Sequence, residues 1–233
     1  IVGGEDAMAA AVMNTIAHSF VRASLLKGQS PQIVTVQGAK PTDSHSLALS
    51  NRWKELPCLS LVDDPREAGT IIAKVYGWLQ ERIANQQQVS SPVLLNLIQL
   101  SRLRSLRRED EFSFSQSEAS PDKQLEELLR DGPSHGIHVL IWAESYSTVN
   151  RWLPRTALRE MEIRMLMQMS TGDSANLVDT VAAAHLGDHV MLLYDEATGQ
   201  EQKFRPYAWK SLDNLPHWVG APPSGTSQSC VRA

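Results

Sequence analysis

The chain has 233 residues, 42% of them hydrophobic, enough for one large domain with a sizeable core or, at a stretch, two small ones. A formal net charge of −4 argues against nucleic-acid binding spread over the whole surface and leaves room only for a local basic patch. Cys58 and Cys230 are the sole cysteines, so the sequence supports neither a disulfide framework nor a thiolate metal site, and a reducing, cytoplasmic setting is the expectation.

Read in chain order, Ile1-Val2-Gly3-Gly4-Glu5-Asp6 is a strand end and a glycine turn feeding a helix. The chain starts without Met, inside a strand, and reads as a piece of something longer. Val12, Ile16, Ala17, Phe20, Val21 and Leu25 mark one face of a helix from Ala10 to Leu26, which Gly28 stops. Gln32 to Gln37 is a short strand, Ser46 to Leu56 a helix, and Cys58 to Val62 the next strand. Asp64-Pro65 opens a further helix, with Asp as N-cap and Pro in the first turn, and Ile71, Ile72, Val75, Leu79 and Ile83 as its apolar positions.

Val93 to Leu100 is a nearly continuous apolar run, the signature of a strand buried on both faces of a parallel sheet. A polar stretch from Glu109 to Ser120 reads as a surface loop, and Pro121 to Arg130 as a helix. Ile137 to Trp142, Ile163 to Met169 and Val190 to Tyr194 are strands, and Gln200 to Phe204 is an edge strand paired as a hairpin across Ala197-Thr198-Gly199. Residues 1–219 form the expected domain, and residues 220–233, rich in Pro, Gly and Ser, an expected disordered tail. Strands alternating with helices give an α/β fold with a mainly parallel sheet flanked by helices. No apolar run approaches the ~18 residues needed to span a bilayer, so no membrane contact is expected from this segment.

The glycine turn is the most informative feature. A strand that runs through a Gly turn into a helix presents backbone N–H groups to an anion. A working phosphate-binding loop has G-x-x-x-x-G-K-[ST] there. Counted from Gly4, with Gly3 before it, Ala9, Ala10 and Ala11 fall at the Gly, Lys and Ser/Thr positions, and Ala10 and Ala11 can hold neither a phosphate nor Mg²⁺. Glu5 and Asp6 add negative charge where a triphosphate would sit. The second half of such a site is an acid at the end of an inner strand, yet Val93–Leu100 offers only Asn96 and Gln99, followed by Ser101. The ordinary alternative is a tight strand-to-helix turn with no nucleotide history.

Gly136-Ile137-His138-Val139-Leu140-Ile141-Trp142-Ala143 resembles the "GIHlilAtQ" strand of the FtsK/SpoIIIE branch of the HerA–FtsK ATPases, with Glu144 and Ser145 in the polar sensor position that follows. Ile163-Arg164-Met165, Asp173-Ser174-Ala175, Leu177-Val178-Asp179, Ala184-His185-Leu186-Gly187-Asp188 and Met191-Leu192-Leu193-Tyr194 are similar, in order, to further motifs of that family. The ordered match covers residues 132–207; residues 1–130 agree in element order only. The resemblance implies a RecA-like P-loop NTPase fold with a C-terminal hairpin, ATP hydrolysis as the family activity, and hexameric assembly. With the Lys, the inner-strand acids and the sensor Gln all missing, it implies a catalytically degenerate module of a larger protein. No catalytic residue and no metal site are expected, and ATP or ADP with Mg is bound weakly or not at all. Partners would be other ATPase domains of the same or a partner protein, with DNA or further copies of the chain as alternatives. An active ATP-dependent DNA or protein translocase, and an interaction domain without nucleotide binding, are the competing readings.

Arg155, Arg159 and Arg164 are candidates for a trans-acting or interface role, with structural ion pairing as the ordinary reading. Arg102, Arg104, Arg107 and Arg108 form a basic run followed directly by Glu109-Asp110-Glu111; on an α-helix, Arg104 would share a face with Arg107 and Arg108, to touch phosphates or a neighbouring subunit, with a solvated helix end neutralised by the acidic loop as the ordinary reading. His138 reads as a core histidine. The start Ile1-Val2-Gly3-Gly4, with Gly172-Asp173-Ser174 and His185, resembles a trypsin-type protease, but the His follows the Ser, and the predicted long helices contradict an all-β double barrel.

Overall fold

The computed structural model describes residues 1–38, 43–54, 59–62, 64–85, 91–108 and 120–209. The predicted Glu109–Ser120 loop (all but Ser120), the tail and both cysteines lie outside the described residues.

Four strands pair in parallel: β1 (Gln32–Gln37), β2 (Leu59–Val62), β3 (Val93–Ile98) and β4 (Ile137–Ile141), in the order β2-β1-β3-β4. β5 (Ile163–Leu166), β6 (Met191–Asp195) and β7 (Gln200–Phe204) form a consecutive antiparallel sheet. The N-terminal residues join the two. Val2 bridges in parallel to Ala143 on one side and to Leu166 on the other. Val2 N–H donates to Met165 O (2.8 Å), Met167 N–H to Val2 O (2.9 Å), and Ala143 N–H to Ile1 O (2.9 Å). The strand predicted to lead into the glycine turn therefore sits at the seam, between β4 and β5.

α1 (Asp6–Leu26) and α2 (Ser44–Trp53) cover one face of the parallel sheet, packing Met13, Ala17, Val21, Leu49 and Trp53 onto Ile33, Leu94 and Ile98. α3 (Ala68–Asn85) and α4 (Pro121–Asp131) cover the other, placing Ile72, Val75, Leu79, Leu125 and Leu128 on Val36, Leu95 and Leu97. β3 is buried at all six positions, as a strand covered on both faces must be. Asp64 accepts from Arg66 N–H (2.9 Å) and caps a 3₁₀ turn, Pro65–Glu67, from which α3 continues. The hairpin predicted at Ala197–Gly199 forms, with Gly199 in the left-handed region (φ 65°). Beyond β4 come α5 (Tyr146–Trp152), α6 (Arg155–Arg159) and α7 (Thr171–Val178). Among the described residues no helix is long and apolar enough to cross a membrane.

Several local readings are corrected. α1 begins at Asp6 rather than Ala10: Glu5 is the extended residue before it, and its side chain makes no capping hydrogen bond to mark the start. The basic run is not an α-helix: it follows two 3₁₀ turns, Leu100–Arg102 and Arg104–Leu106, so Arg104 and Arg108 share no helical face. His138 is exposed, with its ring edge-on to Phe20 of α1 at 6.0 Å; β4 is the last strand in the order of the parallel sheet.

Candidate functional site

The carboxyl ends of β1, β3, β4 and the N-terminal strand converge on one edge of the sheet, the edge at which open α/β sheets place their ligands. The glycine turn stands at its centre. Gly3 has φ 146°, and a Cβ there would lie 2.4 Å from Met167 Cβ. Trp142, 1% exposed, donates its indole N–H to Gly3 O (2.9 Å), and Glu5 N–H points at Met167 Sδ (3.4 Å). β4 and the segment after β5 thus clamp the turn from both sides. Gly3→Ala is expected to cost about 2–3 kcal/mol from backbone strain plus overlap with Met167. Urea unfolding of G3A, M167A and the double variant checks this: the double variant should be more stable than the sum of the single losses predicts, and additivity would show that the clamp carries no energy.

The structure places Ala9, Ala10 and Ala11 inside α1 at 0%, 0% and 1% exposure, packed in the core rather than facing the edge. Ala9 N–H already donates to Glu5 O (3.0 Å). A phosphate-binding loop needs successive backbone N–H groups free in a non-helical turn before the helix starts; here the helix starts two residues after Gly4. Among the described residues, what this turn offers an anion is the first-turn N–H groups of α1.

Asp6 does not face an open phosphate position. Its carboxylate accepts from His45 N–H (3.0 Å), lies 3.2 Å from His45 Nδ1 and accepts from Ser46 Oγ, so it ties the start of α2 to the start of α1. Trp209 stands edge-on to His45 (5.9 Å between centroids), with Arg52 against its other surroundings at 5.5 Å.

Of the inner-strand candidates, Asn96 is fully buried and donates to Thr35 Oγ1 (3.1 Å), leaving its carbonyl oxygen without a partner among the described residues. Gln99 adopts a left-handed backbone (φ 57°, ψ 70°) and donates to Asp43 Oδ2 (2.8 Å), so the end of β3 also holds the start of α2. Ser101 donates its hydroxyl to the carboxylate of Glu144, joining the inner-strand end to the sensor position. Ser145 is a helix cap: its Oγ accepts from Thr148 N–H (3.2 Å) at the start of α5.

Arg164 lies away from this edge and is 7% exposed. It donates to Leu177 O and Leu158 O (2.7 Å each), pairs with Glu196 (2.7 Å) and sits 5.6 Å from the Tyr194 ring. It binds α6, α7 and β5 together and has no reach toward a neighbour. Arg155 and Arg159 stand exposed at the two ends of α6. Asp6–His45–Ser46 and Gln99–Asp43 escaped the sequence reading: partners about forty or more residues apart leave no local signal. Among the described residues, no group of His, Cys, Asp and Glu side chains is placed to hold a metal ion.

A central strand that turns through glycines into a helix, a parallel order β2-β1-β3-β4 beside it and antiparallel strands beyond define a RecA-like P-loop NTPase fold. Solved structures that share the fold are FtsK/SpoIIIE-type ATPases, as the sequence resemblance implies. The pCW3 conjugation coupling protein TcpA, in its monomer form with ATPγS, matches with TM-score 0.63 and 9% identity, over 91% of this chain and 60% of that one. EssC (ATPases 2 and 3) from Geobacillus thermodenitrificans matches with TM-score 0.59 and 14% identity, over 89% and 39%. The genome packaging NTPase B204 from Sulfolobus turreted icosahedral virus 2, with ATPγS, matches with TM-score 0.52 and 12% identity, over 88% and 94%. This chain therefore spans less than two thirds of the coupling protein and well under half of EssC. No family model and no curated protein matches the sequence.

Proposed function

We propose that this chain is a catalytically silent FtsK/SpoIIIE-type ATPase module that serves as a docking or regulatory unit within a larger assembly. The observation that carries this reading is the burial of Ala9, Ala10 and Ala11 inside a helix that starts at Asp6. The residues present do not fit a Mg-nucleotide held in the P-loop manner. The Lys position of the motif holds the buried Ala10, the Ala9 N–H is used within the helix, and the Asp6 carboxylate is used by α2. Losing charge-assisted hydrogen bonds at about 1.5–3 kcal/mol each leaves little nucleotide affinity. The match to part of EssC (ATPases 2 and 3) supports a place beside other ATPase domains. DNA, or further copies of this chain, are secondary candidates as partners.

A second reading, a live DNA or protein translocase with non-standard catalytic groups, draws on Glu144. This carboxylate stands at the ligand edge, and the Glu144 backbone oxygen lies 3.8 Å from where a Cβ on Gly4 would be. Titration calorimetry with Mg-ATP, followed by phosphate release on the same sample, separates the readings. The docking module is expected to show weak or no heat and no release. Release above background overturns it in favour of the translocase. Weak binding without turnover, as against none, separates a degenerate ATPase module from an interaction domain with no nucleotide memory.

A further inference from the structure

Immediately after β3 the chain reads Leu100-Ser101-Arg102-Leu103-Arg104-Ser105-Leu106-Arg107-Arg108. In the two 3₁₀ turns, residues three apart stack on one side, and Leu100, Leu103 and Leu106 are each 0% exposed. The same spacing turns Arg102, Arg104, Arg107 and Arg108 outward, all of them exposed. Trp152, 8% exposed, is the hub: its indole N–H donates to Leu103 O (3.1 Å), between Arg102 and Arg104, and Arg107 lies 5.9 Å from its ring centroid. Exposed Arg151 precedes Trp152 on α5, the helix that packs against the Leu100–Arg102 turn, and exposed Arg155 follows Trp152 by three residues. None of these six arginines forms an ion pair with a described residue. Held on a leucine-anchored backbone, these guanidinium groups would meet an anionic partner at little cost in ordering.

We infer that this arginine surface around Trp152 is a docking site for a carboxylate-rich segment of a protein partner. The inference rests on the docking reading above and gives it a location and a chemistry. A protein carboxylate fits better than nucleic acid for two reasons. The two turns and their link extend only about 12–15 Å at the 3₁₀ rise, short of the several phosphates that give a nucleic-acid site its affinity. The patch is also edged by acids: α4 packs against the Arg104–Leu106 turn and carries Asp122, Glu126 and Glu127, with Glu126 in electrostatic range of Arg108. A long polyanion would meet these acids, whereas a short acidic segment would not. The surface begins one residue beyond Ser101, whose hydroxyl holds Glu144, so an occupant would sit against the ligand edge of the sheet.

The test is fluorescence anisotropy of a labelled hexaglutamate peptide with the full chain, beside a hexaglutamine peptide and a short DNA duplex. Salt-sensitive binding of hexaglutamate but not hexaglutamine is expected, weakened at least about tenfold by Arg104→Glu with Arg107→Glu. Both positions are exposed, and circular dichroism of the variant verifies its fold. Absence of hexaglutamate binding, binding indifferent to the double reversal, or tighter arginine-dependent binding of the duplex would each overturn the inference. A negative result here with no phosphate release leaves the docking module standing without this surface; phosphate release rejects the module whatever the peptide does.

Discussion

Replacing Ala10 by lysine, alone or with Ala9→Gly and Ala11→Ser to restore the phosphate-loop motif, is expected to destabilise the domain by about 3 kcal/mol or more without creating ATP hydrolysis. Ala10 is fully buried between α1 and the core that contains Met13, Trp142 and Met167. An ammonium there must shed its water with no carboxylate arranged to receive it. The loop that would carry it to a phosphate is absent, because the backbone from Asp6 onward is already helical and Asp6 is bonded to the first turn of α2. Urea unfolding measures the loss, and phosphate release measures the activity. A stable triple variant that hydrolyses ATP would mean that the turn at Gly3-Gly4 can reorganise, and the proposal of a silent module would fall.

Arg164→Ala is expected to cost about 3 kcal/mol, lowering the thermal midpoint by about 6–12 °C for a domain of this size. Removal leaves Leu177 O and Leu158 O without their donor inside the protein and Glu196 without its cation. Glu196 is 32% exposed and can turn to water, which keeps the loss below that of a fully buried pair. Glu196→Gln should therefore cost much less, about 1 kcal/mol or under. Arg155→Ala, at an exposed position, should leave stability unchanged. If Arg164→Ala proved as mild as Arg155→Ala, the buried network would not hold α6 and α7 to β5.

The contrast among these arginines shows what a sequence can and cannot convey. Arg155, Arg159 and Arg164 read alike along the chain, yet one sits under β6 and two stand in water. The difference lies in register: Arg164 faces Tyr194 across the β5–β6 ladder, which turns its side chain toward α6 and α7. His138 failed for a related reason. An apolar strand predicts burial, but exposure depends on where the strand falls in the sheet, and β4 is last in its order. The 3₁₀ course of residues 100–106 had a legible signal in the three-residue repeat of leucine; the arginines between them suggested an ordinary helix instead.

The sequence by itself determined the succession of strands and the helices up to β4, the doubly covered β3 strand and the C-terminal hairpin, because each rests on composition or on periodicity within a single element; α5, α6 and α7 were not legible in it. Tertiary structure alone decided that the first strand lies between β4 and β5, that Met167 and Trp142 clamp the glycine turn, that Asp6 and Gln99 hold α2, and that Ser101 meets Glu144. These contacts join residues about forty to well over a hundred positions apart, and no local propensity encodes them. They exist because covering both faces of one sheet forces the ends of its strands and helices onto a common edge.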